Sequence, residues 1–392
     1  MRLRGYLDVS KQGMIAQAQK YAKSQGVVSL LGLMLFMGGT TSSVIAALPS
    51  HDTSKSLITI APSASSKAQP IVRSSSELVK RRLCVWDIMG QNGEIYAKLK
   101  DYQVKAATLG VDFDLKGYVD ERVASEDFRV RYCDAAVVTG LRVRPFNSFT
   151  GSIEAVGAIP SYDHMRTLVS VLSNPAAAQY MTTTMDGQTY EIAGIMPFGA
   201  AYGFVNDRKI DSPERLPGKK IAIFDYDKAE AKLVRNLGAQ SDPSDVTNFA
   251  GKFNNGKVDI VISPATAYRP LELYRGLGKT GGIVDYVLAQ VSLQLMIHPD
   301  RFPEGFGQAS RTYLASQYDA YFKTVQGYES EVDPSYWVRI TADSRKRYQD
   351  MARTSRIDLI KDGIYDKRMM NLLKKIRCQK EPSLAECSEG AE

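Results

Sequence analysis

Residues able to do acid, base or phosphate chemistry are few in this chain, and they are scattered. Its three histidines are His51, His164 and His298; none stands in an H-E-x-x-H pattern or beside a nucleophile at a spacing that would activate it. His51 falls in a polar, Ser-rich stretch, and the other two read as core or surface imidazoles. GLGKTGG, residues 276–282, contains both G-x-G-x-x-G and GKT. A phosphate-binding loop needs glycine where Leu273 stands, and a dinucleotide loop follows a strand and opens a helix. Here helix-forming LELYR comes first and an apolar run follows, so the segment is expected to be the turn that ends a helix. The acid pairs Asp120/Glu121 and Asp225/Asp227 have the chemistry for proton transfer. Nothing at fixed spacing joins them to a nucleophile or a metal, so capping and loop roles are expected. No catalytic group, cofactor or metal is expected.

Cys84, Cys133, Cys378 and Cys387 make an even count that suits an oxidising compartment. The simplest pairing joins Cys84 to Cys133, both at strand starts, and Cys378 to Cys387 across the polar loop CQKEPSLAEC; free buried thiols are the alternative. No C-x-x-C spacing or nearby histidine suggests a metal. The formal charge of +7 is concentrated at the start, where Arg2, Arg4, Lys11, Lys20 and Lys23 are opposed only by Asp8. Without residues 1–46, the 50 basic residues become 45, the 43 acidic ones become 42, and the charge falls to +3. That is too little for a phosphate-backbone partner, so no nucleic acid is expected. VVSLLGLMLFM, residues 27–37, has the length of a secretory h-region, and Val44 and Ala46 offer a small-residue cleavage pattern. A signal peptide over residues 1–46 and a body in the periplasm are expected; an uncleaved anchor facing the same side is the alternative, and Met14 an alternative start.

The elements that would position side chains begin near Val79, after a Ser/Ala/Pro-rich linker over 47–78. LCVWDIM reads as a buried strand, EIYAKLKDYQVKAATLG as a helix stopped at Gly110, and VDFDLKGYV as a second strand. Glu126 to Tyr132 reads as a helix and CDAAVVTG as a third strand. This order implies an α/β fold with a parallel sheet flanked by helices. The pattern restarts with KKIAIF after Pro217 and Gly218, the capped helix DKAEAKLVRNLG, and a helical face of Val246, Phe249 and Phe253 before NNGK and the strand VDIVIS. Two lobes are implied, over 79–200 and 201–282. IVDYVLAQVSLQLMIH reads as one long strand returning to the first lobe over about 283–325. Helices over 326–377 are assigned to the second lobe, and 378–392 form a tail.

RKIDSPERLPGKKIAIF, followed by LGAQSDPSDVTNFAGKFNNGKVDIVISPATAY, resembles the substrate-binding proteins of tripartite ATP-independent periplasmic (TRAP) transporters. LSNPAAAQYMTTTMDGQTYEIAGIMPFG resembles the family's helix and strand before that block. The likeness runs from Leu83 to Phe322 and is weaker before Phe149. It implies a two-lobed, type II-like periplasmic-binding-protein fold, each lobe a mixed, mostly parallel sheet with the ligand cleft between. It also implies capture of a small molecule for membrane permease subunits, by a monomer that performs no chemistry. The family's carboxylate-gripping arginine falls at Ala222, however, and its polar neighbour after V-D-G falls at Ser263.

Ligands of open α/β sheets sit beyond the carboxyl ends of strands. That rule nominates Trp86 and Asp87, Thr139, Arg142 and Arg144 in one lobe, and Asp225, Tyr226, Ser263 and Thr266 in the other. Arg142 or Arg144 would give an anionic ligand the planar fork that Ala222 cannot; a surface salt bridge is their other role. Trp86 and Tyr226 would stack on a ligand or fill the core. A sensory or accessory binding module without transport is the second reading, and a periplasmic enzyme on the same fold the third.

Overall fold

The computed structural model describes residues 78–390; the apolar segment 27–37, its cleavage pattern and the linker through residue 77 lie outside the described residues. β1 (Val79–Trp86), buried from Leu83 onward, is joined by α1 (Glu94–Thr108) to β2 (Val111–Tyr118). α2 (Glu121–Arg129) leads to β3 (Ala135–Thr139), buried at every residue as a strand covered on both faces must be. β1 lies parallel between β2 and β3. α2 begins five residues before the helix expected at Glu126–Tyr132. Its start is fixed by the Asp120 carboxylate, which accepts from Arg122 N at 2.8 Å, and it has ended by Arg131, at φ 63°.

α3 (Tyr162–Ser173) precedes a hairpin of β4 (Thr182–Met185) and β5 (Gln188–Val205), turned by Asp186 and Gly187 at φ 50° and 73°. β6 (Lys220–Phe224), α4 (Lys228–Asn236), β7 (Gln240–Ser244), α5 (Phe249–Asn254) and β8 (Ile260–Pro264) form the second set of units. The segment 276–282 is, as its composition implied, a turn after the one-turn helix Tyr274–Leu277, closed by Gly281 N donating to Leu277 O. The run from Ile283 is two strands rather than one, β9 (Gly282–Val284) and β10 (Ala289–Ile297). β9 pairs with β5, while in the break Asp285 N bonds to Val338 O and Leu288 N to Ala201 O; these bonds divert four residues to carry the chain between halves. α6 (Phe306–Ser316), α7 (Tyr318–Ser330), β11 (Trp337–Val338), α8 (Ala342–Lys361) and α9 (Lys367–Lys380) complete the chain.

The sheet runs β2-β1-β3-β10-β5-β8-β6-β7. It is mixed: β10 is antiparallel to β3 and β5, β5 is antiparallel to β8, and β6 is parallel to β7 and β8. β5 carries the join between the two lobes. Residues 191–201 pair with β10 and residues 201–205 with β8. Between them Val291 faces Gly199 and Ser292 faces Pro197, so Phe198 is bulged out of register, and Gly199 sits at φ 138°, where a side chain would be strained.

The C-terminal helices hold both lobes. Met369, Met370 and Leu373 of α9 enter the core built on β1 and β3, while Tyr348 of α8 stacks on Tyr286 at 4.8 Å. Cys84 pairs with Cys133 and Cys378 with Cys387, as expected. Asp127 offers an oxygen within 4.8 Å of both sulfurs of the first pair, but those sulfurs are spent on each other. The second disulfide closes a clasp around Glu386, whose carboxylate accepts from Arg356 at 2.9 Å and from Arg377. The same guanidiniums donate to Val156 O at 3.0 Å and Ala158 O at 2.8 Å, fixing the loop that carries Glu154. Among the described residues no helix is long and apolar enough to cross a membrane.

Candidate functional site

The carboxyl ends of β1, β3, β6 and β8 converge on a cleft between the lobes that encloses a cavity of about 140 Å³. Its walls are mostly apolar: Trp86, Phe198, Phe224, Phe249, Leu233 and Val246. Trp86 is also core, 2% exposed, with its ring edge-on to Phe198 at 5.7 Å and Nε1 donating to Val119 O. Phe198 reaches the cleft because of the bulge. Thr139 and Ser263 line the cleft from opposite lobes, together with four carboxylic acids, Glu121, Glu154, Asp227 and Glu230.

Two of these acids tie the lobes together. Glu121 accepts from Thr139 Oγ1 at 2.8 Å within its own lobe and from Tyr226 OH at 2.6 Å across the cleft. Arg142 lies 3.7 Å from Glu121 and places its guanidinium 3.5 Å from the centre of the Tyr226 ring, a cation–π contact. Asp227 caps α4 through Ala229 N and, across the cleft, accepts from Arg144 Nη1 at 2.8 Å. Arg144 Nε donates to Gly151 O, and only a glycine there lets the chain close on Arg144, because a Cβ would lie 2.3 Å from its Cα.

The other two acids are held by backbone. Glu154 Oε1 accepts from Gly140 N, Ser292 N and Ser292 Oγ, each at 2.9 Å, while Oε2 is buried with no hydrogen-bond partner among the described residues. Burial pushes this carboxyl up to about 7, against the Ser292 bonds and the Arg144 charge, which pull it down. Gly140 permits the approach, since a Cβ would stand 2.5 Å from Oε1. Glu230 accepts from Phe224 N at 2.9 Å, and burial, then the neighbouring Asp227, raises its pKa.

Of the nine residues nominated by the strand-end rule, Trp86, Thr139 and Ser263 line the cleft. Arg142, Arg144 and Tyr226 stand behind its lining, engaged with Glu121 and Asp227. Asp87 and Thr266 line a neighbouring hollow of about 60 Å³ beyond Ile88 and Phe198. There Asp87 accepts from Met89 N and Tyr96 N at the start of α1, and burial raises its pKa against those bonds. Asp225 is exposed, its N donating to Ser244 O. Ala222 packs in the second lobe's core. Sequence reasoning missed Glu154, Glu230 and Phe198. The available signal was weak: an acid set among small apolar residues in SIEAVGA, and a Pro-Phe-Gly break inside an apolar run.

Residues 103–392 match the family described as solute-binding protein AdeT 1/2. The probable solute-binding protein AdeT1 of Acinetobacter baumannii is 46% identical over 304 residues, 78% of this chain and 99% of that protein. The chain belongs to the AdeT1/2 solute-binding protein family. A second member, the probable solute-binding protein AdeT2 of the same organism, is 26% identical over 60% of this chain and 98% of its own length. The AdeT1/2 fold of this chain is also that of TRAP periplasmic solute-binding proteins. One from Desulfovibrio salexigens, solved with orotic acid, superposes with a TM-score of 0.63 at 14% identity, covering 77% of this chain and 99% of that one. Another, from Rhodoferax ferrireducens with bound malonate, has a TM-score of 0.60 at 12% identity, covering 77% and 100%. The two-lobed α/β architecture expected from the sequence is therefore present.

Proposed function

We propose that this protein captures a small solute in the interlobe cleft on the periplasmic side and presents the closed form to membrane permease subunits. The observation that carries the reading is the cleft itself, an apolar hollow at converging strand ends with polar groups contributed by both lobes. A solute touching both walls favours the closed arrangement by its differential affinity, and the closed surface is what a permease would recognise. Export through the segment at 27–37, action as a monomer and the absence of any covalent step belong to this reading. An anionic solute, suited to Arg142 and Arg144, would have to draw those guanidiniums away from Glu121 and Asp227, to which they are committed.

Thermal unfolding of the purified chain against organic acids, amino acids, sugars, amines and aromatic compounds tests the reading. A cognate solute at 100 times its Kd raises stability by about 2.7 kcal/mol through mass action, which reads as a clear rise in Tm. A complete library without a shift would sink solute capture.

A further inference from the structure

Resting on the solute-capture reading above, we infer that the solute is an organic cation: a protonated amine on an apolar or aromatic body, seated between the two lobes against Glu154 and Glu230. Among the described residues four carboxyl groups line the cleft and no guanidinium or ammonium does. Arg142 answers Glu121 and Arg144 answers Asp227. Among the described residues neither Glu154 nor Glu230 has an ion-pair partner, so the lining has two carboxyls in excess of its cations. Glu154 is only 6% exposed, and its Oε2 has no donor although Oε1 has three. A buried acceptor left in that state is costly until a donor reaches it.

The walls say what else the solute carries. Trp86, Phe198, Phe224 and Phe249 suit a flat or bulky apolar body, and their π faces also favour a nearby positive charge. A carboxylate solute would instead find a positive group only by drawing Arg142 or Arg144 away from Glu121 or Asp227.

Titration of the lining has the matching sign. Arg144 and Glu121 face Glu154, and Asp227 and Arg144 face Glu230; Tyr226, Arg142 and Tyr365 are the other titratable or charged groups packed around them. Without a solute, Glu154 holds its proton up to about pH 7, and burial raises Glu230 as well. An arriving cation favours the carboxylates and expels those protons, so affinity rises with pH below the carboxyl pKa by up to about tenfold per pH unit for each proton released.

The experiment is calorimetric titration of the full chain with matched phenyl and naphthyl compounds bearing an ammonium, a carboxylate or a hydroxyl head, at pH 6 and pH 8. Ammonium members are expected to bind, at least tenfold tighter at pH 8, with heats in two buffers reporting proton release. Glu154→Gln keeps the Oε1 acceptor and removes the charge; it is expected to cost at least tenfold in affinity and to flatten the pH dependence. Glu230→Gln is the second variant should the first fold poorly. Binding only of carboxylate or hydroxyl members, or unchanged ammonium binding in both variants, overturns the cationic assignment and leaves solute capture standing. Silence from this set and from the general solute library overturns both.

Discussion

At the scale of single residues, the cleft depends on glycines that let backbone and carboxylate approach. Gly140 is the sharpest case, because its N–H and the Ser292 groups converge on Glu154 Oε1, and a Cβ would also meet Ser292 Oγ at 2.7 Å. Gly140→Ala is expected to displace Glu154 and strand buried acceptors, at a cost of about 1–3 kcal/mol in chemical denaturation. Glu154 itself makes stability depend on pH. Its folded pKa of about 7 lies above the ordinary 4.5, so folding takes up a proton in that interval. The solute-free protein therefore loses stability as pH rises from about 4.5 to about 7, by on the order of 3 kcal/mol in all. Glu154→Gln should remove that slope, and equal slopes in urea melts across this window would refute the assignment.

At the scale of elements, the C-terminal clasp has the opposite sign. Burial alone would raise Glu386, but Arg377, then Arg356 and Arg353, more than reverse it and hold the carboxyl below its ordinary value. Its contribution is therefore present above the ordinary carboxyl range and fades as pH falls through the folded pKa. Glu386→Ala leaves two buried guanidiniums without this partner and should destabilise by about 3–5 kcal/mol at pH 7, read by denaturant melts. The Cys84–Cys133 bridge spans 49 residues, and replacing both cysteines by alanine should cost about 4 kcal/mol on the chain-entropy account.

Elements differed in how far the sequence announced them. Apolar runs bounded by turn residues marked β3, β6 and β8, and the Asp227 cap with Gly238 marked α4. β5 was obscured because Pro197 and Gly199 interrupt it exactly where tertiary bends need them. Thr139 and Ser263 were legible because a strand-end rule is local. Glu154 was not, since it sits in a loop without periodicity and is aimed by groups up to 138 residues away. Glu230 reads as an ordinary first-turn acid three residues after a capping aspartate, and only the fold turns it to Phe224 N.

At the scale of the whole molecule, two ties between protein groups join the walls of the cleft. Arg144 to Asp227 and Tyr226 to Glu121 both cross the cleft. Losing one charged hydrogen bond of about 1.5–3 kcal/mol shifts an open–closed equilibrium by roughly 10- to 150-fold. Arg144→Ala should therefore enlarge the radius of gyration measured by X-ray scattering without solute, and saturating solute should restore it. Identical curves for wild type and variant would show that the tie does not govern closure.

The place of β10 in the sheet also sets an order of events for a newly made chain. β3 and β5 are separated by a strand that ends at Ile297, so the nascent first lobe has two unpaired edges until three-quarters of the polypeptide has been delivered. Such non-local pairing folds slowly and leaves those edges exposed to other chains. A fragment that stops before Ala289 should stay protease-sensitive where the full chain resists digestion.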